Sequence, residues 1–348
     1  MHDSRRDTEE IKAVWATPKK VVISTHHKPD ADALGSSLAL AKILEKKGHH
    51  VTIIVPSDYP AFLNWMSGQE NVVIFNPQAP ELVKSFLDEA DLFCILDLNA
   101  FSRLYELGDL IRTYTTTPKI LIDHHLAPED DMADMYFWDN KAAATCELIY
   151  ELIVTIGDKK LIDKNIAESL YAGIMTDTGS FRFPSTSSKV HLIIAELIEL
   201  GADNAMVYEH VFDEYSESRL RFIGFALSKR LFVLREYHTA YFVISAKDLA
   251  NYQSKTGDTE GLVDFGLSIE GILFACVMIE REDNIKLSFR SSGDFSVQNF
   301  ASTNFSGGGH KNASGGICPL TLKETEHKFL GLLPLYKETL DQVYTHVL

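Results

Sequence analysis

Short apolar runs rich in β-branched residues, each followed by a helical pattern, recur through roughly the first 180 residues of the chain. Lys20–Thr25 (KVVIST), His50–Val55 (HVTIIV), Leu92–Leu96 (LFCIL) and Lys119–Ile122 (KILI) read as buried strands, with a short one at Val72–Phe75. Between and after them, helical spacing covers Ala33–Lys47 (stopped by Gly48), Glu81–Ala90, Ser102–Tyr114, Ala142–Ile156 and Ile162–Met175. Such alternation gives an α/β fold, a mostly parallel sheet flanked by helices. It also gathers the carboxyl ends of the strands at one edge, where open α/β sheets bind ligands. The pattern is helical from 187 to 229, with Gly201 as a break. From Leu231 strand-like runs at Leu231–Arg235, Ala240–Ile244, Ile272–Ile279 and Ile285–Arg290 lead to a glycine-rich loop and a final helix. The expected organisation is therefore a catalytic domain over 1–186, a helical connector over 187–229 and a smaller α+β domain over 230–348. The length of 348 residues suits two domains better than one core.

Composition narrows the function classes. The net charge is −16, from 49 acidic against 33 basic residues. Passive binding of a long polyanion needs clustered Lys and Arg, so no long nucleic-acid tract is expected as a partner. A small phosphorylated substrate stays compatible, because a bound cation inverts the local field. The four cysteines show no Cys-x-x-Cys spacing, and Cys94 and Cys276 lie in apolar runs as buried reduced thiols do. The N-terminal stretch MHDSRRDTEEIKAVWA has no secretory apolar segment, and no run is long enough for a membrane helix. A cytoplasmic protein is expected.

Chemistry-bearing residues cluster at the predicted strand ends. His26, Asp30 and Asp32 lie in HHKPDADALGS, where the first strand gives way to a helix; an extended turn there would aim the two aspartates to different sides. A Pro-Asp turn with an aspartate helix cap accounts for the same residues equally well. Asp97 directly follows LFCIL, and Asp123-His124-His125 directly follows KILI, where Asp123 can orient an imidazole. Asp177 ends an apolar helix before a glycine turn, as a simple terminal residue could. Each position has its bland reading, but parallel strands bring His26, Asp97 and His124 to one edge. Four carboxylates, two imidazoles and no thiolate suit two divalent cations, Mn²⁺ or Mg²⁺ before Fe²⁺ or Co²⁺. A bridging ligand must reach both ions, and Asp97 and Asp177 are the candidates. In the second domain, Gly307-Gly308-Gly309-His310 could bring backbone N–H groups close to an anion, with a flexible surface loop as the ordinary alternative. Arg290, at the end of IKLSFR, could give a bidentate phosphate contact.

In this order the motifs His26-x-x-Pro29-Asp30-x-Asp32, Asp97, Asp123-His124-His125 and Asp177, with Gly307–His310 beyond them, resemble the DHH superfamily of phosphoesterases. The similarity is to the subgroup with the first type of DHH-associated C-terminal domain, which includes bacterial nanoRNases and phosphoadenosine phosphate phosphatases. The resemblance implies one ion on His26, Asp30, Asp97 and Asp177 and another on Asp32, Asp97, His124 and Asp177, Mn²⁺ being the foremost choice. It further implies that His125 supports the scissile phosphate. Arg290 and the Gly307–His310 segment would hold the substrate's far end across an interdomain cleft. The implied reaction is hydrolysis of short oligoribonucleotides such as pApA, linear or cyclic dinucleotides, or 3′-phosphoadenosine-5′-phosphate by a metal-activated water. A homodimer is among the assemblies the resemblance suggests. Two other functions bear on the same residues: an inorganic pyrophosphatase or polyphosphatase, which the GGGH segment disfavours, and a nucleotide-sensing binding protein, which the intact ligand set disfavours.

Overall fold

The computed structural model describes residues 4–126, 128–213, 215–255 and 257–347, and divides into two compact units, Met1–Glu214 and Tyr215–Leu348. The helices expected as a connector over 187–229 do not form a separate body. Those up to residue 213 belong to the first unit and the one from Glu217 to the second.

In the first unit the elements run β1 (Ser4–Arg6), α1 (Thr8–Val14), β2 (Lys20–Thr25), α2 (Ala31–Lys46), β3 (His50–Val55), β4 (Val73–Ile74), α3 (Glu81–Asp88), β5 (Leu92–Leu96), α4 (Glu106–Arg112), β6 (Lys119–Asp123), β7 (Met135–Asp139), α5 (Thr145–Thr155), α6 (Lys164–Asp177), α7 (Ser188–Glu199) and α8 (Asn204–Tyr208). The sheet order is β1-β7-β6-β5-β2-β3-β4, parallel throughout except for β1, which pairs antiparallel with β7. The chain builds outward from β2 to β4 and then returns to β5 on the other side of β2. The switch point therefore lies between β2 and β5, where such sheets open a crevice.

Residue alternation explains why helices cover both faces. Leu92, Cys94 and Leu96 of β5 face one cluster with α2, α5 and α6, while Phe93 and Ile95 face another with α3 and α4. Helices α2 and α6 approach closely, because a Cβ on Gly35 would lie 2.5 Å from Ser169 O and one on Gly173 2.9 Å from Asp32 Cα.

The second unit contains α9 (Glu217–Lys229), β8 (Leu231–Leu234), β9 (Thr239–Ile244), α10 (Ala246–Asn251), α11 (Leu262–Leu267), β10 (Phe274–Glu280), β11 (Ile285–Ser291), α12 (Val297–Asn304), β12 (Ser306–Gly309), β13 (Ala313–Cys318) and α13 (Leu322–Val347). Its mixed sheet has the order β12-β13-β11-β10-β9-β8. Phe274, Cys276 and Met278 of β10 pack beside Phe289, Phe300 and Phe329, and the intervening Ala275, Val277 and Ile279 pack beside Phe222 and Phe242. All four cysteines are free and buried, Cys94 and Cys146 in the first unit and Cys276 and Cys318 in the second. No helix among the described residues is long and apolar enough to cross a membrane.

Three local expectations are corrected. The helix expected over Ser102–Tyr114 is broken, a 3₁₀ turn at Phe101–Leu104 being separated from α4 by Tyr105 in a left-handed conformation (φ 52°, ψ −137°). The helix expected from Ala142 begins at Thr145, since Ala144 is extended (φ −159°). Gly307–Gly309 is an edge strand and not a loop: β12 pairs with β13 so closely that a Cβ on Gly307 would lie 2.2 Å from Gly315 O. Glycine lowers strand propensity, but here glycines on both strands permit the approach. Strands β1 and β7 were not foreseen.

Candidate metal centre

The carboxyl ends of β2, β5 and β6 carry His26, Asp97 and His124. Helix α2 begins with Asp30 and Asp32, and α6 ends on Asp177. Asp30 is both a helix cap and a site residue. Its Oδ1 accepts from the N–H groups of Asp32 and Ala33, each at 3.0 Å, while Oδ2 lies 3.9 Å from His26 Nε2. Asp32 is in the first turn of α2, not in an extended turn, and is fully buried. Its two oxygens accept from Cys146 N (2.8 Å) and Thr145 N (2.7 Å), so the amino end of α5 holds this carboxylate.

Asp97 sits between two groups of ligand atoms. Its Oδ2 is 3.4 Å from His26 Nε2 and its Oδ1 is 3.4 Å from His124 Nε2. Thr145 Oγ1 donates to Oδ1 at 2.9 Å and fixes the carboxylate plane. Asp97 also has φ 59°, a left-handed backbone that an aspartate tolerates better than a branched residue. His26, Asp30 and Asp97 form one set with potential ligand atoms all within 4.8 Å, and Asp32, His124 and Asp177 form another. His124 Nε2 lies 3.3 Å from Asp177 Oδ2 and 3.8 Å from Asp32 Oδ2.

The imidazoles are oriented from behind. His26 Nδ1 faces the His27 carbonyl at 3.0 Å, and His124 Nδ1 faces the Ala142 carbonyl at 3.3 Å, leaving both Nε2 atoms toward the carboxylates. Asp123 orients not His124 but His125, with Oδ1 2.7 Å from Nδ1. On the other side of that ring Arg103 Nη1 lies 2.9 Å from Nε2. Arginine can only donate, so His125 Nε2 accepts and Nδ1 carries the proton to Asp123. Burial, assisted by the His124 and Arg103 charges, lowers the His125 pKa, in keeping with a neutral ring.

This donor set fits cations. Asp32 and Asp97 are buried, with 0% and 3% of their side chains exposed, and among the described residues no lysine or arginine pairs with Asp30, Asp32, Asp97 or Asp177. Burial, then the Asp97 charge, raises the Asp32 pKa, and burial with Asp32 and Asp30 raises that of Asp177. Burial opposes charge on His124 and His26, but hydrogen bonding to Asp97 and the surrounding carboxylates raise both. Burial also opposes charge on Asp97, yet His124 and His26 hold it well below the usual range. These shifts favour proton uptake by the cluster where no cation is bound. A divalent cation competes with those protons, so its affinity is expected to rise with pH through the acidic-to-neutral range. Titration calorimetry in two buffers of unlike ionisation enthalpy should show proton release; identical apparent enthalpies would contradict this.

The DHH family, N-terminal domain, matches residues 20–174. Across 342 residues the chain is 30% identical to the bifunctional oligoribonuclease and PAP phosphatase NrnA of Thermus thermophilus, covering 98% of this chain and 90% of that protein. The chain belongs to the DHH family of phosphoesterases. Among its DHH relatives is the cyclic-di-AMP phosphodiesterase PdeA of Listeria monocytogenes, 26% identical over 91% of this chain and 48% of that protein. A crystal structure of an exopolyphosphatase-related protein from Bacteroides fragilis superposes with a TM-score of 0.90 at 36% identity, covering 98% and 99% of the two chains.

In the second unit of this DHH protein, the candidate substrate residues lie on β11 and at the end of β12. Arg290 pairs in register with Ala313, and Gly309 with Ser314, so Arg290 and His310 lie toward the same end of that sheet. Arg290 Nη1 donates to Phe289 O at 3.0 Å, and Nε is 3.9 Å from Asp264 Oδ1. A side chain on Gly308 would meet nothing within 4 Å, whereas Gly307 and Gly309 are confined by β13. Sequence reasoning missed Arg103, Thr145 and Gly173. Arg103 had a signal, a basic residue six positions after Asp97 in a strongly acidic chain; the other two act through tertiary contacts no spacing encodes.

Proposed function

We propose that the protein is a metal-dependent phosphodiesterase and phosphatase acting on short nucleotides: oligoribonucleotides such as pApA, linear or cyclic dinucleotides, or 3′-phosphoadenosine-5′-phosphate. The observation that carries this reading is the division of the Asp97 carboxylate between two sets of ligands. His26 and Asp30 would hold one divalent cation and Asp32 and His124 the other, with Asp97 and Asp177 shared and Mn²⁺ the foremost ion. Two such ions supply water activation and neutralisation of charge on the attacking and leaving oxygens.

The chain's own groups have separate tasks. Thr145 and the amino end of α5 keep Asp97 and Asp32 in place, which preserves geometry as charge redistributes. Arg103 uses one donor on His125, and its remaining guanidinium donors suit a phosphoryl oxygen. Arg290 and the Gly307–His310 segment are the second unit's candidates for another substrate phosphate. The net charge of −16 argues against a long nucleic acid, which would need a basic track.

Purified protein with Mn²⁺ should be offered pApA, phosphoadenosine phosphate, a long single-stranded RNA and pyrophosphate. Rapid loss of the short nucleotides is expected, with little loss of the other two. Consumption of pyrophosphate alone, or of nothing, defeats the proposal. Arg290→Ala should raise KM for pApA about 10-fold through a lost charged hydrogen bond. An unchanged KM would remove Arg290 from the substrate site.

A further inference from the structure

Tyr105 separates a 3₁₀ turn from α4 with φ 52° and ψ −137°, a backbone that suits glycine and strains a residue bearing a ring. Burial does not offset the strain, since the residue is 55% exposed. Its ring lies instead against His27, with centroids 4.4 Å apart and planes at 45°. The position is tied to the metal centre on two sides. His27 N donates to Arg103 O at 2.8 Å, and the Arg103 guanidinium reaches His125. His27 also directly follows His26, so their Cα atoms are about 3.8 Å apart. The rim is otherwise polar, with Lys28 paired to Asp58 beyond it.

An exposed ring held in a strained backbone, lying against the histidine that directly follows the metal-ligand candidate His26, has the properties of a stacking platform. Base-to-aromatic stacking needs a flat face and no particular base, and it discriminates nucleotides from other phosphates. We propose that Tyr105, backed by His27, forms a nucleobase subsite for the nucleotide whose phosphate lies at the metal centre. This rests on the function proposed above, and it assigns that function's selectivity for nucleotides over inorganic phosphates to the first unit.

Two measurements test it. Calorimetric binding of AMP and of ribose 5-phosphate, in the presence of Mn²⁺, should show AMP held about 5- to 100-fold more tightly by the native protein. Tyr105→Gly should bring the two affinities together, while its melting temperature stays level or rises as the strain is released. Tyr105→Trp should keep the preference. In turnover, Tyr105→Gly should raise KM for pApA by a similar factor and leave KM for an abasic dinucleotide unchanged. A Tyr105→Gly protein that still prefers AMP overturns the subsite, whatever the turnover shows. A native protein that prefers AMP through Tyr105 but hydrolyses no nucleotide keeps the subsite and defeats the proposed reaction.

Discussion

Asp97→Ala is expected to lower kcat for pApA by more than about 10³-fold, the scale reached when a preorganised charged group is lost from a reacting centre. The size follows from position. One oxygen faces His26 and the other His124, so a single truncation strips a ligand from both sets. Asp32, with both oxygens held by α5, and Asp30, with one held by α2, are not free to swing into its place. Bound manganese, measured by atomic absorption after dialysis, should fall together with the rate. Two tightly held equivalents in the variant would show that Asp97 does not bridge.

Gly173→Ala should have the second-largest effect, although Gly173 itself offers no ligand atom. The new Cβ would lie 2.3 Å from Cys146 Sγ, 2.7 Å from Asp32 Oδ1 and 2.9 Å from Asp32 Cα. None of these neighbours can yield easily. Cys146 is wholly buried, and the N–H groups of Thr145 and Cys146 pin Asp32. Overpacking of this kind costs about 1–3 kcal/mol of stability. The displacement of Asp32 should also weaken Mn²⁺ binding and lower the rate about 10- to 100-fold. Gly35→Ala is the contrast, because its Cβ would meet Ser169 O at 2.5 Å in the same helix pair. It should destabilise the protein without a comparable loss of metal affinity. Wild-type Mn²⁺ affinity in Gly173→Ala would refute this packing account of Asp32.

Much of the sheet was legible because parallel strands buried on both faces leave continuous apolar runs, and KVVIST, HVTIIV, LFCIL and KILI are all strands. The site was legible for the same reason: carboxyl ends of parallel strands converge, so residues after those runs had to meet. Strand β7 hid because MYFWD is aromatic and follows a polar loop rather than a helix. Strand β12 hid because its residues are glycines, whose pairing depends on the glycines opposite. Which imidazole Asp123 orients was not legible, since only the ring orientations decide between neighbours on one strand end. Thr145 and Gly173 act through contacts spanning 113 and 141 residues of chain, and local spacing carries no trace of those.

The four cysteines give the molecule its own reporters of opening. Burial pushes the thiols of Cys94, Cys146 and Cys276 up in pKa, so in the folded state they have little thiolate to offer an alkylating reagent. Modification must then wait for local or global opening, and its rate reads the free energy of that opening. Because two thiols lie in each unit, mass-resolved labelling times the two units separately within one unlabelled, unmutated chain. Cys146, wedged between Gly35, Gly173 and Asp32, makes the first unit's clock a direct witness to the packing under the metal centre.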